Sequence, residues 1–386
     1  MFMAFNINHL SPVLFGLNMS MRAGMRLKEL GCTSVLFVYD EGIKKAGIPD
    51  QIINNTKALG IKVSVYEGVK ADPPDYTVEE AAEIGRRNKV DGIVGIGGGS
   101  SMDTAKAANI LMGNPSPISR YMGMGGVMKP GKTLILISTT AGTGSEVTNM
   151  AVLTDSRTGR KGGPANNLLR ATLAIVDPML TVGMPPSVTG DTGMDAFAHA
   201  AEAVTSGQAN PMSDLLGEKA ISLVCKYLPR AVKDGSDIEA RTNMSFAAMC
   251  AGYAFNDALT HLGHAIGHTL GSMFHIPHGN ACAVAMPEIM EFIAEATPDG
   301  IRRVGMAMGL GTDESVSPKD AGKRVRDALR ALNKEIGQKT LRQHNIDEAS
   351  LPAIANRAMA EGLPMFAPKK VDTNDLLNIL QKAYSA

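Results

Sequence analysis

Apolar positions follow one rhythm in the first half of this chain and another in the second. Ser34 to Asp40, Ile61 to Val69, Val90 to Gly97 and Thr133 to Ser138 are short runs rich in apolar and β-branched residues, bounded by glycine, proline or aspartate, and they predict strands. Between them, Pro49 to Leu59, Thr77 to about Asn88 and Thr104 to Leu111 predict helices, the second opened by Thr77-Val78-Glu79-Glu80 in the form of a capping box. Strands alternating with helices of this length argue for a parallel, doubly wound sheet that binds ligands at the carboxyl ends of its strands. Beyond Val176-Asp177-Pro178 the strand signals stop, and Met184-Pro185-Pro186 reads as a linker into Ala-, Met- and Leu-rich segments of helical period. Met212 to Tyr227, Ile238 to Tyr253, Leu262 to Phe274, Ala321 to Ala331, Leu351 to Ala360 and Asn374 to Tyr384 are the predicted helices there. The chain of 386 residues exceeds what one core normally serves, so two domains are expected, 1–183 α/β and 184–386 all-helical.

The informative residues of the first half stand at strand ends. Gly97-Gly98-Gly99-Ser100-Ser101-Met102-Asp103 joins a buried strand to a helix, which lets backbone amides approach an anion at the helix N-terminus. Taken alone, a triple glycine is as often a tight turn. A second loop, Thr139-Thr140-Ala141-Gly142-Thr143-Gly144-Ser145-Glu146, follows another strand and adds small residues and hydroxyls. Two such loops on one sheet suggest a dinucleotide. Asp40, ending the first clear strand, would accept hydrogen bonds from a ribose and repel a 2′-phosphate, favouring NAD over NADP; the bland alternative is a strand-end turn residue.

The second half concentrates the imidazoles. Six of the eight histidines fall between Asp195 and His278. Asp195 and His199 share one helix face at i,i+4, and His264 and His268 repeat the spacing, with His261, His275 and His278 close by. Any one such pair is more often a surface pair or a buried, hydrogen-bonded histidine. Clustering in a His-poor chain favours an N/O site for a divalent metal instead. A metallohydrolase would need a general-base glutamate beside the pair, and His264-Ala265-Ile266-Gly267-His268 has none.

Composition narrows the partners. Lys plus Arg equals Asp plus Glu at 38 each, which gives no electrostatic reason for nucleic acid or an anionic membrane. A small-molecule partner fits better. Cys32, Cys225, Cys250 and Cys282 lie far apart with no C-x-x-C, so neither a disulfide framework nor a zinc ribbon is expected, and a reducing compartment is. Met1 to Met21 lacks a signal-peptide pattern, and no apolar run approaches the roughly 18 residues of a membrane helix. The expectation is a soluble, cytoplasmic protein.

In combination and order, Gly97-Gly98-Gly99-Ser100, Thr139 to Asn149, Ile175-Val176-Asp177-Pro178, Gly193 to Glu202 and the spaced histidines resemble the iron-containing (group III) alcohol dehydrogenase family over nearly the whole chain. The resemblance implies the dehydroquinate synthase-like fold of that family: a Rossmann-like N-terminal dinucleotide-binding domain and an all-α C-terminal metal-binding domain. It implies metal ligands at Asp195, His199, His264 and His278, and a histidine near the nicotinamide, at times considered a proton relay, at His268. Cofactor contacts are implied at Asp40, Gly97, Gly98, Gly99, Ser100, Asp103, Thr139, Thr140, Thr143 and Asn149. The cofactors would be NAD(H) and Fe²⁺, with Zn²⁺ as the alternative. By position Asn149, Phe255, Leu259 and His261 would line the substrate pocket. The expected reaction is hydride transfer between a primary alcohol, diol or ω-hydroxy acid and nicotinamide, in a homodimer or larger homo-oligomer.

The chain departs from the family at Thr260-His261, at Gly162 to Asn167 and at Ala367-Pro368-Lys369. These leave the substrate open. A glycerol dehydrogenase-like or other member of the superfamily is the alternative; such sites use three protein ligands, so His278 discriminates. A nucleotide-binding protein without catalysis is the remaining rival.

Overall fold

The computed structural model describes residues 5, 7, 11–124 and 129–385; most of the signal-free reading of Met1 to Met21 before Ser11 therefore lies outside the described residues. The chain divides into two compact units, one of residues 11–140 and 144–183, the other of residues 141–143 and 184–385.

In the first unit, six strands form one sheet in the order Val13–Phe15, Leu173–Val176, Thr133–Ser138, Gly92–Gly97, Ser34–Asp40, Lys62–Val69, every pairing parallel. Alternate residues of each inner strand feed opposite faces, as a two-residue period requires. Leu36, Val38, Ile93 and Leu134 pack with Val78, Ala81, Met102 and Ala105 from the helices Asp75–Arg87 and Gly99–Gly113. Val35, Phe37, Val94 and Ile135 pack on the other face with Ala23, Leu27 and Ile52 from Ala23–Glu29 and Ile48–Ala58. Helices thus cover both faces, and this is why the inner strands read as continuous apolar runs.

From Ser34–Asp40 the chain adds Lys62–Val69 on one side, then returns to place Gly92–Gly97 on the other. The strand order reverses between two neighbours whose carboxyl ends carry Asp40 and Gly97. In open α/β sheets that reversal marks the ligand crevice.

Two local expectations shift and one strand is added. The helix expected at Thr77 begins at Asp75, because Pro74 is already extended and Thr77 sits in the first turn, its hydroxyl donating to Pro74 O at 2.7 Å. The helix expected from Thr104 begins at Gly99, its first turn hidden by glycine's low helix propensity. The start of the chain adds an edge strand, Val13–Phe15, paired with Leu173–Val176.

The second unit is helical. Its centre is Pro186–Thr205, in which every residue from Gly193 to Thr205 is buried, against Pro211–Lys233 and Ile238–Ala258. Ala196, Ala198, Ala200 and Ala201 let neighbouring helices approach it closely. Asn210 caps the next helix, accepting from the Met212 and Ser213 amides while Ser213 Oγ accepts from the Asn210 amide. No helix among the described residues is long and apolar enough to cross a membrane.

Candidate metal centre and nucleotide loops

Three helices of the second unit bring the candidate ligands together. Asp195 and His199 are one turn apart on Pro186–Thr205, His264 and His268 lie on Leu262–Phe274, and His278 opens His278–Ala283. Around Asp195 Oδ1 stand His278 Nε2 at 3.5 Å, His264 Nε2 at 3.7 Å and His199 Nδ1 at 3.7 Å. Asp195 Oδ1, His264 Nε2 and His199 Nδ1 are all buried without a hydrogen-bond partner. Buried polar atoms are nearly always paired, so three orphans facing one another point to a shared partner, and a cation satisfies a carboxylate oxygen and two imidazole nitrogens at once. The residues fit a divalent ion.

The electrostatics agree. Burial alone would raise the Asp195 carboxyl, but the imidazoles of His199, His278 and His264 outweigh it and hold it well below the usual carboxylate range. Burial alone would lower His264, yet Glu202 and Asp195 overcome it and hold the ring up at about 9. Burial dominates at His199, which falls to about 4 despite Asp195. Two buried carboxylates held ionised among imidazoles make a site that favours positive charge, which a metal ion would supply in place of the proton on His264.

Glu202, the last residue of the Gly193 to Glu202 motif, organises the support. It is fully buried on the same helix as Asp195, and its Oε2 lies 2.5 Å from His264 Nδ1, which orients Nε2 toward Asp195. Its Oε1 accepts from the Gly263 amide at 2.5 Å and stands 3.1 Å from His261 Nδ1. Burial opposes ionisation of Glu202, but His261, His264 and the Gly263 amide bring its carboxyl down to about 2. A carboxylate behind a metal-facing imidazole fixes its tautomer and raises its basicity.

That arrangement corrects one expectation. His261 has no exposed surface, its ring lying between Glu202 and Thr205 Oγ1, the latter at 3.0 Å, so it supports the cluster instead of lining a substrate pocket. Phe255 stacks on His199 at 4.1 Å and is nearly buried. Leu259 is half-buried at φ 63°, ψ 170°, a region only glycine adopts readily, and begins the turn into the His264 helix. His268 stacks against His278 with ring centres 5.4 Å apart, and its Nδ1 lies 3.5 Å from Glu361 Oε2.

Cys282, one helical turn after His278, joins the cluster: ligand atoms of Asp195, His264, His278 and Cys282 lie within 4.8 Å of one another. It forms no C-x-x-C pair with another cysteine. The His278-x-x-x-Cys282 spacing was the available signal.

In the first unit, Asp40 Oδ1 accepts from the Ile43 amide at 3.0 Å and Oδ2 from Ser101 Oγ at 3.1 Å, tying the two strand ends at the reversal. Gly97, at φ 149°, makes the turn; a Cβ there would fall 2.6 Å from Ser101 Oγ. Gly98 precedes the helix and gives no side-chain cap, so the amides at Gly99 and Ser100 begin a helix N-terminus suited to an anion. The Thr139 and Thr140 hydroxyls at the neighbouring strand end have no hydrogen-bond partner among the described residues, which fits a polar ligand at these loops. Asn149 Nδ2 donates to Asn167 Oδ1 at 2.9 Å, and Thr143 groups with the helical unit.

Asp103 differs from expectation. Its Oδ1 accepts from Ser145 Oγ at 2.6 Å and faces Lys106 Nζ at 3.4 Å, while Oδ2 accepts from the Val152 amide at 2.9 Å. With both oxygens engaged, it shapes the loop rather than offering itself to a cofactor. Lys106, wholly buried, also donates to Ser145 Oγ, Thr148 Oγ1 and Met150 O at 2.8, 3.0 and 2.8 Å.

The sequence profile of iron-containing alcohol dehydrogenases matches residues 11–178, and that of the C-terminal part of the Fe-containing alcohol dehydrogenase family matches residues 189–384. The chain belongs to the iron-containing alcohol dehydrogenase family. Among members of this family, the NAD-dependent methanol dehydrogenase of Bacillus methanolicus is 34% identical over 361 residues, 93% of this chain and 94% of that protein. The 1,3-propanediol dehydrogenase of Citrobacter freundii is 35% identical over 373 residues, 96% of each chain. A crystal structure of a 1,3-propanediol oxidoreductase superposes with a TM-score of 0.95 at 33% identity, covering 99% of this chain and 100% of that one.

Proposed function

We propose that this member of the family is a metal-dependent, NAD(H)-linked alcohol dehydrogenase and aldehyde reductase, acting on a primary alcohol, a diol or an ω-hydroxy acid. The observation that supports it most is the convergence of partnerless, buried Asp195 Oδ1, His264 Nε2 and His199 Nδ1 beside His278. A four-residue set favours this reading over three-ligand relatives of the glycerol dehydrogenase type. Relatives named for methanol and 1,3-propanediol support a short alcohol.

Asp195, His199, His264 and His278 would hold a divalent ion, Fe²⁺ or in its place Zn²⁺. Such an ion supplies Lewis acidity, stabilising negative charge on an alcohol oxygen so that hydride can pass to nicotinamide. Glu202 keeps the His264 ring aimed. His268, with Nδ1 toward Glu361, is the group that moves the proton of the alcohol at near-neutral pH. The amides at Gly97, Gly98 and Gly99, Ser100, and the hydroxyls of Thr139 and Thr140 bind the dinucleotide phosphates and nicotinamide ribose, with Asp40 disfavouring a 2′-phosphate.

The reading extends to a cytoplasmic homo-oligomer, a dimer or larger. Four cysteines outside any disulfide, three of them buried, support a reducing compartment. The test is NAD⁺ reduction across alcohols, diols and hydroxy acids, on metal-stripped protein reloaded with Fe²⁺ or Zn²⁺. Metal-dependent turnover, lost together with bound metal in Asp195→Ala, is the expected outcome; no turnover with either ion, or metal-free activity in the variant, refutes it.

A further inference from the structure

A sulfur atom stands beside the oxygen and nitrogen atoms of this cluster. Cys282 Sγ lies 3.9 Å from His278 Nε2, one turn along the same short helix, and within 4.8 Å of donor atoms of Asp195 and His264. The thiol has no exposed surface. The opposing helix makes room for the sulfur: a Cβ on Gly267 would stand 2.5 Å from it. Independently of the cysteine, Asp195 Oδ1 and His264 Nε2, on residues 2% and 3% exposed, point into the same space without partners.

We propose that Cys282 is a thiolate donor to the ion, making the centre a mixed oxygen, nitrogen and sulfur site. This rests on the metal-dependent reading above. As the sulfur–metal bond forms, the thiol proton leaves to solvent, so the site gains one anionic donor without any change of oxidation state. Thiolate is the soft member of the set, and its presence shifts preference toward Zn²⁺, which accepts sulfur and imidazole together, and away from ions suited to hard donors. In this chain the choice between iron and zinc then depends on a side chain outside the four expected ligands.

X-ray absorption at the zinc edge of the full-length, zinc-loaded protein tests it directly. One sulfur scatterer at about 2.3 Å beside nitrogen and oxygen at about 2.0–2.1 Å is expected. Cys282→Ser should lose that scatterer and bind Zn²⁺ at least about tenfold more weakly in chelator competition, in line with losing a direct ligand. Cobalt loading gives a second readout, a near-ultraviolet sulfur-to-cobalt band present in the native chain and absent from Cys282→Ser. The native spectra stand even if that variant fails to fold. Stoichiometric metal with only nitrogen and oxygen neighbours overturns the cysteine's role and leaves the metal site intact; failure of the native chain to take up any of these ions overturns both.

Discussion

Replacing Glu202 by alanine removes the group that several others depend on. Its carboxylate lies against His264 Nδ1 and His261 Nδ1 and accepts from the Gly263 amide, all in a site without solvent. Each buried donor left without an acceptor costs about 1–3 kcal/mol. The donors share one carboxylate, so the losses do not simply add, and breaking a buried charged pair costs about 3–5 kcal/mol in total. For a unit of this size 1 kcal/mol moves the melting temperature by about 2–4 °C, so the metal-free variant should melt about 10 °C lower. Differential scanning calorimetry of metal-free native protein, Glu202→Ala and Glu202→Gln measures this, with Glu202→Gln recovering part of the loss because it keeps one acceptor oxygen. Chelator competition on the same proteins should show metal affinity weakened about 10–100-fold in Glu202→Ala. A melting temperature within about 1 °C of native, together with unchanged metal affinity, would refute the argument that this carboxylate holds the cluster.

Two further predictions concern protons. Burial raises the Glu146 carboxyl from its ordinary 4.5 to about 7, so its contribution to stability is full below pH 4.5 and is lost as pH climbs through 7, about 3 kcal/mol in all. Glu146→Gln should flatten the fall in melting temperature between pH 4.5 and 8, and an identical slope in variant and native protein would contradict this. His268→Ala should change the shape of the pH–rate profile for alcohol oxidation; a profile altered only in height would show that His268 positions without moving a proton.

What could be read in the sequence was what local pattern records. Asp40 and Gly97 stand at strand ends, and a strand's end is visible in a run of apolar residues followed by glycine or aspartate. The histidines announced themselves by number, and Leu262–Phe274 by its period. The support behind them was not visible, because Glu202 and His261 are 59 positions apart and meet only when two helices pack. His261 accordingly looked like a pocket residue. Asp103 was a cofactor contact only by resemblance, and nothing local shows that Ser145 and the Val152 amide, more than forty positions on, occupy its oxygens. The first turn of Gly99–Gly113 was hidden by the same glycines that equip it to receive an anion.

The buried Lys106 ammonium has a consequence for ligand capture. It and Asp103 fasten Ser145, Thr148, Met150 and Val152 to the helix Gly99–Gly113, beside the loops that carry the candidate cofactor contacts. The conformational entropy of that segment is lost when the chain folds, not when a ligand arrives. A molecule docking at these strand ends meets a preorganised surface, and more of its contact energy appears as affinity.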